Sequence, residues 1–354
     1  MSRFLREKYA GLLPYTPGEQ PKERKYVKLN TNESPFPPSP LAIEGARREA
    51  EQLMLYPDPN CTALTRALAD TLGVSPEQVV LGNGSDEVLN FAFMAFCDER
   101  TPAVFADITY GFYKVFANIN NLPYKEIPLT SDFRINVDDY INTDGTVFIA
   151  NPNAPTGILL PLSEIERLLK SNPDRVVVID EAYVDFGSES AVSLIPKYPN
   201  LLVVGTFSKS RSMAGARLGF GIGGADIISD LTRIRYSINP YNVNRMTAAA
   251  GVGALKDKAY FENNCRAIIE NREWTVRELK ALGFEMTESM ANFIFAKSDK
   301  ISGEKLYLAL KERGVLVRHF SGQRICEYNR ITIGNSEEMQ ILVNTIREIL
   351  EENI

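Results

Sequence analysis

From about residue 62 the chain alternates two kinds of hydrophobic pattern. Unbroken apolar runs of strand length recur: QVVLG (78–82), PAVFADI (102–108), TVFIANP (146–152), RVVVID (175–180), LLVVGTF (201–207) and RLGFGIGG (217–224). Between them lie SDEVLNFAFMAF (85–96), GFYKVFANI (111–119) and SEIERLLK (163–170), whose apolar residues recur at helical spacing. Ser163 and Glu166 stand at capping-box spacing and are expected to open the last of these helices. Strands without polar alternation are buried on both faces. The pattern therefore predicts a mostly parallel sheet with helices on either side. Functional groups of such a sheet gather in the loops after the strands' C-terminal ends.

Beyond Tyr241 the pattern changes. A helical stretch over about 244–282 carries the only tryptophan, Trp274. Strands are expected at FEMTES, NFIFAKS, VLVRHF and RITIG, and helices at 303–313 and 336–352, the last with Met339, Leu342, Ile346 and Ile349 on one face. The proline-rich NESPFPPSP (32–40) reads as a rigid extended segment. The expected organisation is an arm over 1–40, a large α/β domain over 41–245 with a sheet of about seven strands, and a smaller α+β domain over 246–354.

Charge and composition narrow the function. With 39 Lys and Arg against 45 Asp and Glu, the net charge is −6, so no basic stripe argues for nucleic acid or an anionic membrane. No apolar run approaches the roughly 18 residues of a membrane span, and the start of the chain lacks the apolar core of a secretory signal. The four cysteines, Cys61, Cys97, Cys265 and Cys326, form no CxxC pair and read as reduced thiols of a cytoplasmic protein. The single histidine, His319, leaves no histidine-rich metal site to build, and no metal is expected. It also makes lysine the leading candidate for a proton shuttle.

The chemistry concentrates in four segments. In GTFSKSRSMAGARLGF (205–220), Lys209 stands at a strand end between Ser208 and Ser210, with Gly215, Arg217 and Gly219 following closely. A lysine amine there suits condensation with an aldehyde cofactor, and Ser208 and Arg217 suit that cofactor's phosphate. In VVVIDEAYVDF (176–186), Asp180 ends an apolar run, where a carboxylate is costly to bury without a cationic partner such as a protonated pyridine nitrogen. Tyr183 lies three residues on, within reach of that ring's oxygen. In LGNGSDEVL (81–89), a glycine-rich turn leads into a helix whose first amides, at Ser85 and Asp86, make a phosphate seat. Tyr110, in DITYGFY, is placed to stack on a planar ring. Arg318 and Arg330 beside apolar strands suit an anionic substrate end. Taken singly, each has a plain reading: a surface lysine, a helix cap, a glycine turn, a packed tyrosine, an edge-strand arginine.

Together, NPNAPTG (151–157), DEAY (180–183) and SK followed by GxRxG (208–219) resemble the fold-type I pyridoxal-phosphate aminotransferases, in that family's order and over essentially the whole chain. KLNTNESPFPPSP, LYPDPN, TYGFY, ANFIF and RITIG resemble in particular its histidinol-phosphate branch. The resemblance implies pyridoxal 5'-phosphate as cofactor, held by Lys209, which also shuttles the proton. It implies that Asp180 pairs with the ring nitrogen, that Tyr183 serves the ring oxygen, either alone or with Asn153 in place of the family's asparagine, and that Tyr110 stacks. It places Ser85, Asp86, Ser208 and Arg217 at the phosphate, with Tyr56 reaching the cofactor of a neighbouring subunit in a homodimer with shared sites. Tyr15, Tyr241, Arg318 and Arg330 would take the substrate's anionic end, with Asn292 helping to position Arg330. The partners implied are a small-molecule amino donor and a keto acid acceptor. One departure stands out: the family's asparagine before Pro-Thr-Gly is Ala154, which cannot donate a hydrogen bond to the ring oxygen. Aromatic aminotransferases, a phosphothreonine decarboxylase and a non-catalytic ligand sensor share much of this pattern. A Rossmann nucleotide binder does not fit, because the turn lacks G-x-G-x-x-G.

Overall fold

The structure, a computed structural model, describes residues 2–352 apart from Ala10, Leu13, Lys22 and Glu23. The arm enters through a two-residue strand, β1 (Val27–Lys28), and ends at α1 (Pro40–Ala50), capped by Ser39. Then follow α2 (Thr62–Leu72), β2 (Val79–Gly82), α3 (Ser85–Phe96), β3 (Ala103–Ala106), α4 (Phe112–Ile119), β4 (Tyr124–Ile127), α5 (Asp138–Ile141), β5 (Thr146–Ala150), α6 (Leu162–Ser171), β6 (Val177–Asp180), β7 (Leu201–Thr206), β8 (Gly219–Gly223) and α7 (Ala225–Ile238). The seven strands β2 to β8 form one sheet in the order β2-β8-β7-β6-β5-β3-β4. All neighbours run parallel except β8, which is antiparallel to both β7 and β2.

Alternate side chains of the central strands enter two different cores. Val147, Ile149, Val177, Ile179, Leu201 and Val203 face one side, with Leu64 and Leu68 of α2 and Ile165, Leu168 and Leu169 of α6. Phe148, Ala150, Val178, Leu202 and Val204 face the other, with α3, Tyr113 and Phe116 of α4, and Ile227, Ile228 and Leu231 of α7. Both faces are dry, which is why these runs carry no polar alternation.

The helix expected over 244–282 is two, α8 (Arg245–Lys256) and α9 (Lys258–Ala281), which meet at Asp257. Ala250, Ala254 and Leu255 of α8 belong to the first core of the large sheet, and α8 packs against α1 and α2. Four strands, β9 (Phe284–Met286), β10 (Phe293–Ser298), β12 (Arg318–His319) and β13 (Asn329–Thr332), make an antiparallel sheet in the order β12-β13-β10-β9. The expected VLVRHF strand is split: β11 (Val315–Leu316) pairs with β1 and only β12 joins the sheet. With α9, α10 (Gly303–Glu312) and α11 (Ser336–Glu352), this sheet encloses a separate core of Ile294, Ile331, Leu306, Leu310, Leu342, Ile346 and Ile349.

The Ser163–Glu166 capping box does not form. Helix α6 begins two residues earlier, with Pro161 at its N-cap, and Glu166 accepts instead from the Tyr198 hydroxyl at 2.7 Å. Ser75 and Gln78 make a capping box, at the turn before β2. Among the described residues, no helix is long and apolar enough to cross a membrane.

Candidate active site

The loops after β2, β3, β5, β6 and β7 converge on a cavity of about 370 Å³, lined among others by Ser85, Asp86, Tyr110, Ala154, Asp180, Tyr183, Ser208, Lys209 and Arg217. All leave C-terminal strand ends except Arg217, which precedes β8, the strand that runs the other way. At one end lies the N-terminus of α3, with unpaired amides pointing into the turn. Two glycines allow close approach there. A Cβ on Gly84 would lie 2.4 Å from Arg217 Nη2, and one on Gly219 would lie 2.1 Å from the Ser85 nitrogen. Arg217 holds a left-handed φ of +54°, which costs roughly 1–2 kcal/mol for a residue with a Cβ. Its Nη2 donates to Asp86 Oδ2 at 2.7 Å, and the Tyr110 hydroxyl donates to Asp86 Oδ1 at 2.6 Å.

At the other end is Asp180, 5% exposed. Its Oδ2 accepts from the Tyr113 hydroxyl at 2.9 Å, whereas its Oδ1 is buried with no partner. Burial pushes this carboxyl up to about 7. An acceptor left bare at a cavity wall is costly, and a ring N–H placed there would satisfy it. Tyr183 stands between the ends, edge-on to Phe293 at 5.0 Å, with its hydroxyl accepting from Asn32 Nδ2 at 3.0 Å.

Lys209 closes the cavity. Its Nζ donates to the Thr31 carbonyl at 3.3 Å and lies 6.0 Å from the centre of the Tyr183 ring. Burial holds its amine down to about 8, assisted by the positive charge of Arg330. A second chamber of about 530 Å³ shares Tyr110, Ala154, Tyr183 and Lys209 with the first and adds Tyr15, Arg318, Phe320 and Arg330. Arg330 lies between Phe293 and Phe320, with Nη2 donating to the Asn30 carbonyl at 3.0 Å and Nε buried without a partner. Among the described residues, Arg318's hydrogen bonds are long, 3.4 and 3.5 Å to the Thr16 and Pro17 carbonyls, and its guanidinium lies 5.7 Å from the centre of the Phe320 ring. The Tyr15 ring packs on Phe112 at 4.4 Å.

Three expected site residues, Asn153, Asn292 and Tyr241, lie elsewhere, and Tyr56 is the residue expected at a neighbouring subunit's cofactor. Asn153 is a correction: its amide nitrogen donates to the Ile108 carbonyl and Thr156 Oγ1, and its oxygen accepts from Thr109, so the side chain serves its own loop. Asn292 does not touch Arg330. It donates to the Asn32 carbonyl at 3.0 Å, and Asn30, two residues away, holds Arg330. Tyr56 and Tyr241 stack on each other at 4.6 Å and line neither chamber. Conversely, the segment 30–33 and Tyr113 bear on the site without having been singled out. The run NTNES was visible, but nothing in it said which atoms would turn inward.

The family model for aminotransferase class I and II matches residues 24–346. The chain belongs to this family. It is thus a pyridoxal-phosphate-dependent transaminase, and the bare Asp180 Oδ1, the depressed Lys209 amine and the α3 terminus fit that cofactor's nitrogen, aldehyde and phosphate. Similar proteins include the histidinol-phosphate aminotransferase of Clostridium acetobutylicum, 50% identical over 99% of this chain and 100% of that protein. That of Marinomonas sp. is 52% identical over the same shares of the two chains. Among solved structures, a putative histidinol-phosphate aminotransferase from Erwinia carotovora superposes with TM-score 0.86 at 24% identity, covering 92% of this chain and 96% of the other. The Sinorhizobium meliloti histidinol-phosphate aminotransferase in complex with pyridoxal-5'-phosphate gives 0.85 at 24% identity, covering 94% and 93%.

Proposed function

We propose that this transaminase moves an amino group between L-histidinol phosphate, with imidazole acetol phosphate as its keto partner, and glutamate, with 2-oxoglutarate as its partner. The observation that carries the reading is the second chamber. Arg318 and Arg330 face it from the small sheet, neither in an ion pair among the described residues, and it opens onto Lys209. Two guanidinium forks outside any ion pair suit a phosphate dianion and also accept a carboxylate, as a two-substrate cycle needs. The relatives at about half identity carry this activity in their names.

Bound in the first cavity, pyridoxal phosphate supplies an aldehyde that condenses with amines and a ring that takes up the electron pair released at the substrate's α-carbon. The amides of Ser85 and Asp86, with Ser208 and Arg217, would hold the phosphate. Asp180 Oδ1 would accept from the ring nitrogen, Tyr110 would stack on the ring, and Tyr183 would donate to the ring oxygen. Lys209 Nζ, neutral for much of the time near pH 8, accepts the α-proton and returns it, a transfer that contributes roughly 10²–10⁴-fold. Arg318, Arg330 and Tyr15 orient the anionic end.

The working unit in this reading is a homodimer in the cytoplasm. Tyr56 is 79% exposed beside exposed Leu53, Met54 and Leu55, and its stack with Tyr241 lines neither chamber. Such an apolar platform suits a second copy of the chain, whose cofactor phosphate Tyr56 would reach.

Steady-state assays with histidinol phosphate and phenylalanine as rival donors to 2-oxoglutarate test the substrate. A kcat/KM at least about 10²-fold higher for histidinol phosphate is expected, since a site built for a charged group rejects analogues lacking it. Equal or higher efficiency with phenylalanine would move the enzyme to the aromatic class.

A further inference from the structure

Tyr113 sits in the first turn of α4, three residues after Tyr110, and is fully buried. Its ring packs among Phe93, Phe105 and Phe148, and Tyr110 meets it edge-on at 5.6 Å. A phenol in such an apolar cluster must spend its hydroxyl on a partner. The partner is Asp180 Oδ2, at 2.9 Å. Among the described residues, Tyr113 is the one side chain that hydrogen-bonds Asp180, and Oδ1 is buried without a side-chain partner. The other charged or titratable groups bearing on Asp180 are Asp86 of α3, Lys209 beyond β7, the neighbouring Glu181, and the phenols of Tyr110 and Tyr183. The same helix start thus places one hydroxyl on the carboxylate at each end of the cavity: Tyr110 on Asp86, Tyr113 on Asp180.

We propose that Tyr113 is a positioning residue that holds Asp180 with Oδ1 turned into the cavity and keeps its negative charge there, so that the cofactor's ring nitrogen stays protonated. This rests on the reading of Asp180 given above. A phenol O–H stabilises the carboxylate but not the carboxylic acid. In the contest for one proton between Asp180 and the ring nitrogen, Tyr113 therefore favours the nitrogen. Without it, Asp180 is a stronger base and is free to rotate. Both consequences leave the ring less protonated and a poorer electron sink.

The test uses the holoenzyme loaded with cofactor carrying ¹⁵N in the ring, whose chemical shift reports the nitrogen's protonation. Tyr113→Phe keeps the ring in its aromatic cluster. It is expected to move the resonance toward the unprotonated position and shift its titration by about one pH unit, tenfold in proton affinity. It should lower kcat while leaving KM for glutamate nearly unchanged. Phe105→Leu, which disturbs the same packing without touching the hydroxyl, should leave the resonance in place. If Asp180→Asn moves the resonance and Tyr113→Phe does not, the role of Tyr113 is overturned and Asp180 keeps its own. If neither moves it, the reading of Asp180 falls too. If Phe105→Leu moves it as far as Tyr113→Phe, the effect is packing and the proposal fails.

Discussion

Lys209 Nζ reaches the main-chain carbonyl of Thr31 across 3.3 Å, so the proposed catalytic lysine is anchored by the arm rather than by the sheet that delivers it. The two asparagines flanking Thr31 extend the link. The Asn30 carbonyl holds Arg330, and Asn32 donates to the Tyr183 hydroxyl. One short segment thereby ties together Lys209, Arg330 and Tyr183, the residues proposed to bind the aldehyde, the substrate's anionic end and the ring oxygen.

Asn32 is 1% exposed, and besides Tyr183 it bonds Thr332 through both its backbone nitrogen and its side-chain oxygen. Asn32→Ala strands buried partners and should cost about 1–3 kcal/mol in denaturant unfolding. Activity should fall even at temperatures where the variant is fully folded, because Tyr183 is no longer held. A variant of unchanged stability and activity would contradict the link.

The charge of Arg330 helps to keep Lys209 near pKa 8. The neutral amine is the form that captures an aldehyde, so the rate of cofactor uptake by the cofactor-free enzyme should rise with pH through a midpoint near 8. Arg330→Met removes a nearby positive charge and should move that midpoint upward by about half to one unit. A midpoint that stays or falls would show that Arg330 does not act on the lysine.

Burial pushes both Asp180 and Glu181 up to about 7. Glu181 is held by the Ser190 hydroxyl and the Ala191 amide, both at 2.6 Å. Between roughly pH 4 and 7 the folded cofactor-free chain keeps protons that the unfolded chain has released. The stability they contribute is complete below about pH 4 and is lost as pH rises to 7. Thermal unfolding across this window should show the loss, and Glu181→Gln should show a shallower one. Carboxylates held low, such as Asp58 and Glu33, act below the window and are common to both proteins. Parallel pH profiles would exclude a titrating Glu181.

Ala154 lines both chambers and packs with Tyr183 and Phe293. With Asn153 committed to its loop, Tyr183 would serve the ring oxygen alone in the proposed reading. Ala154→Asn adds a donor that stabilises the oxygen anion and weakens its hold on the proton shared with the Lys209 linkage. The visible band's pH titration should shift downward by up to about one unit. An unshifted titration would mean that the added amide never reaches the ring.

The sheet was legible because its strands are dry on both faces, so that Val177 to Ile179 and Leu201 to Val204 appear as unbroken apolar runs. β4 was not: YKEI is an edge strand whose Tyr124 and Lys125 face solvent, and four residues give too short an alternation. The split of VLVRHF depends on pairing with β1, a long-range event that no local pattern records. Lys209, Asp180 and Arg217 stood out because a charge at the end of an apolar strand needs a reason. Tyr113 and Asn32 did not, because a tyrosine in an aromatic run reads as core and an asparagine opening a proline-rich run reads as part of a rigid extended segment. Asn153 misled because the loop that displays it also consumes its hydrogen bonds.

The central claim is a Lys209-linked transaminase for histidinol phosphate. The most direct test is the visible absorption spectrum of the purified protein before and after adding glutamate, then histidinol phosphate. A yellow band bleached by each donor, and absent in Lys209→Ala, is the expected result. Bleaching by glutamate and phenylalanine but not by histidinol phosphate would contradict the substrate. No band after adding pyridoxal phosphate would contradict the site itself.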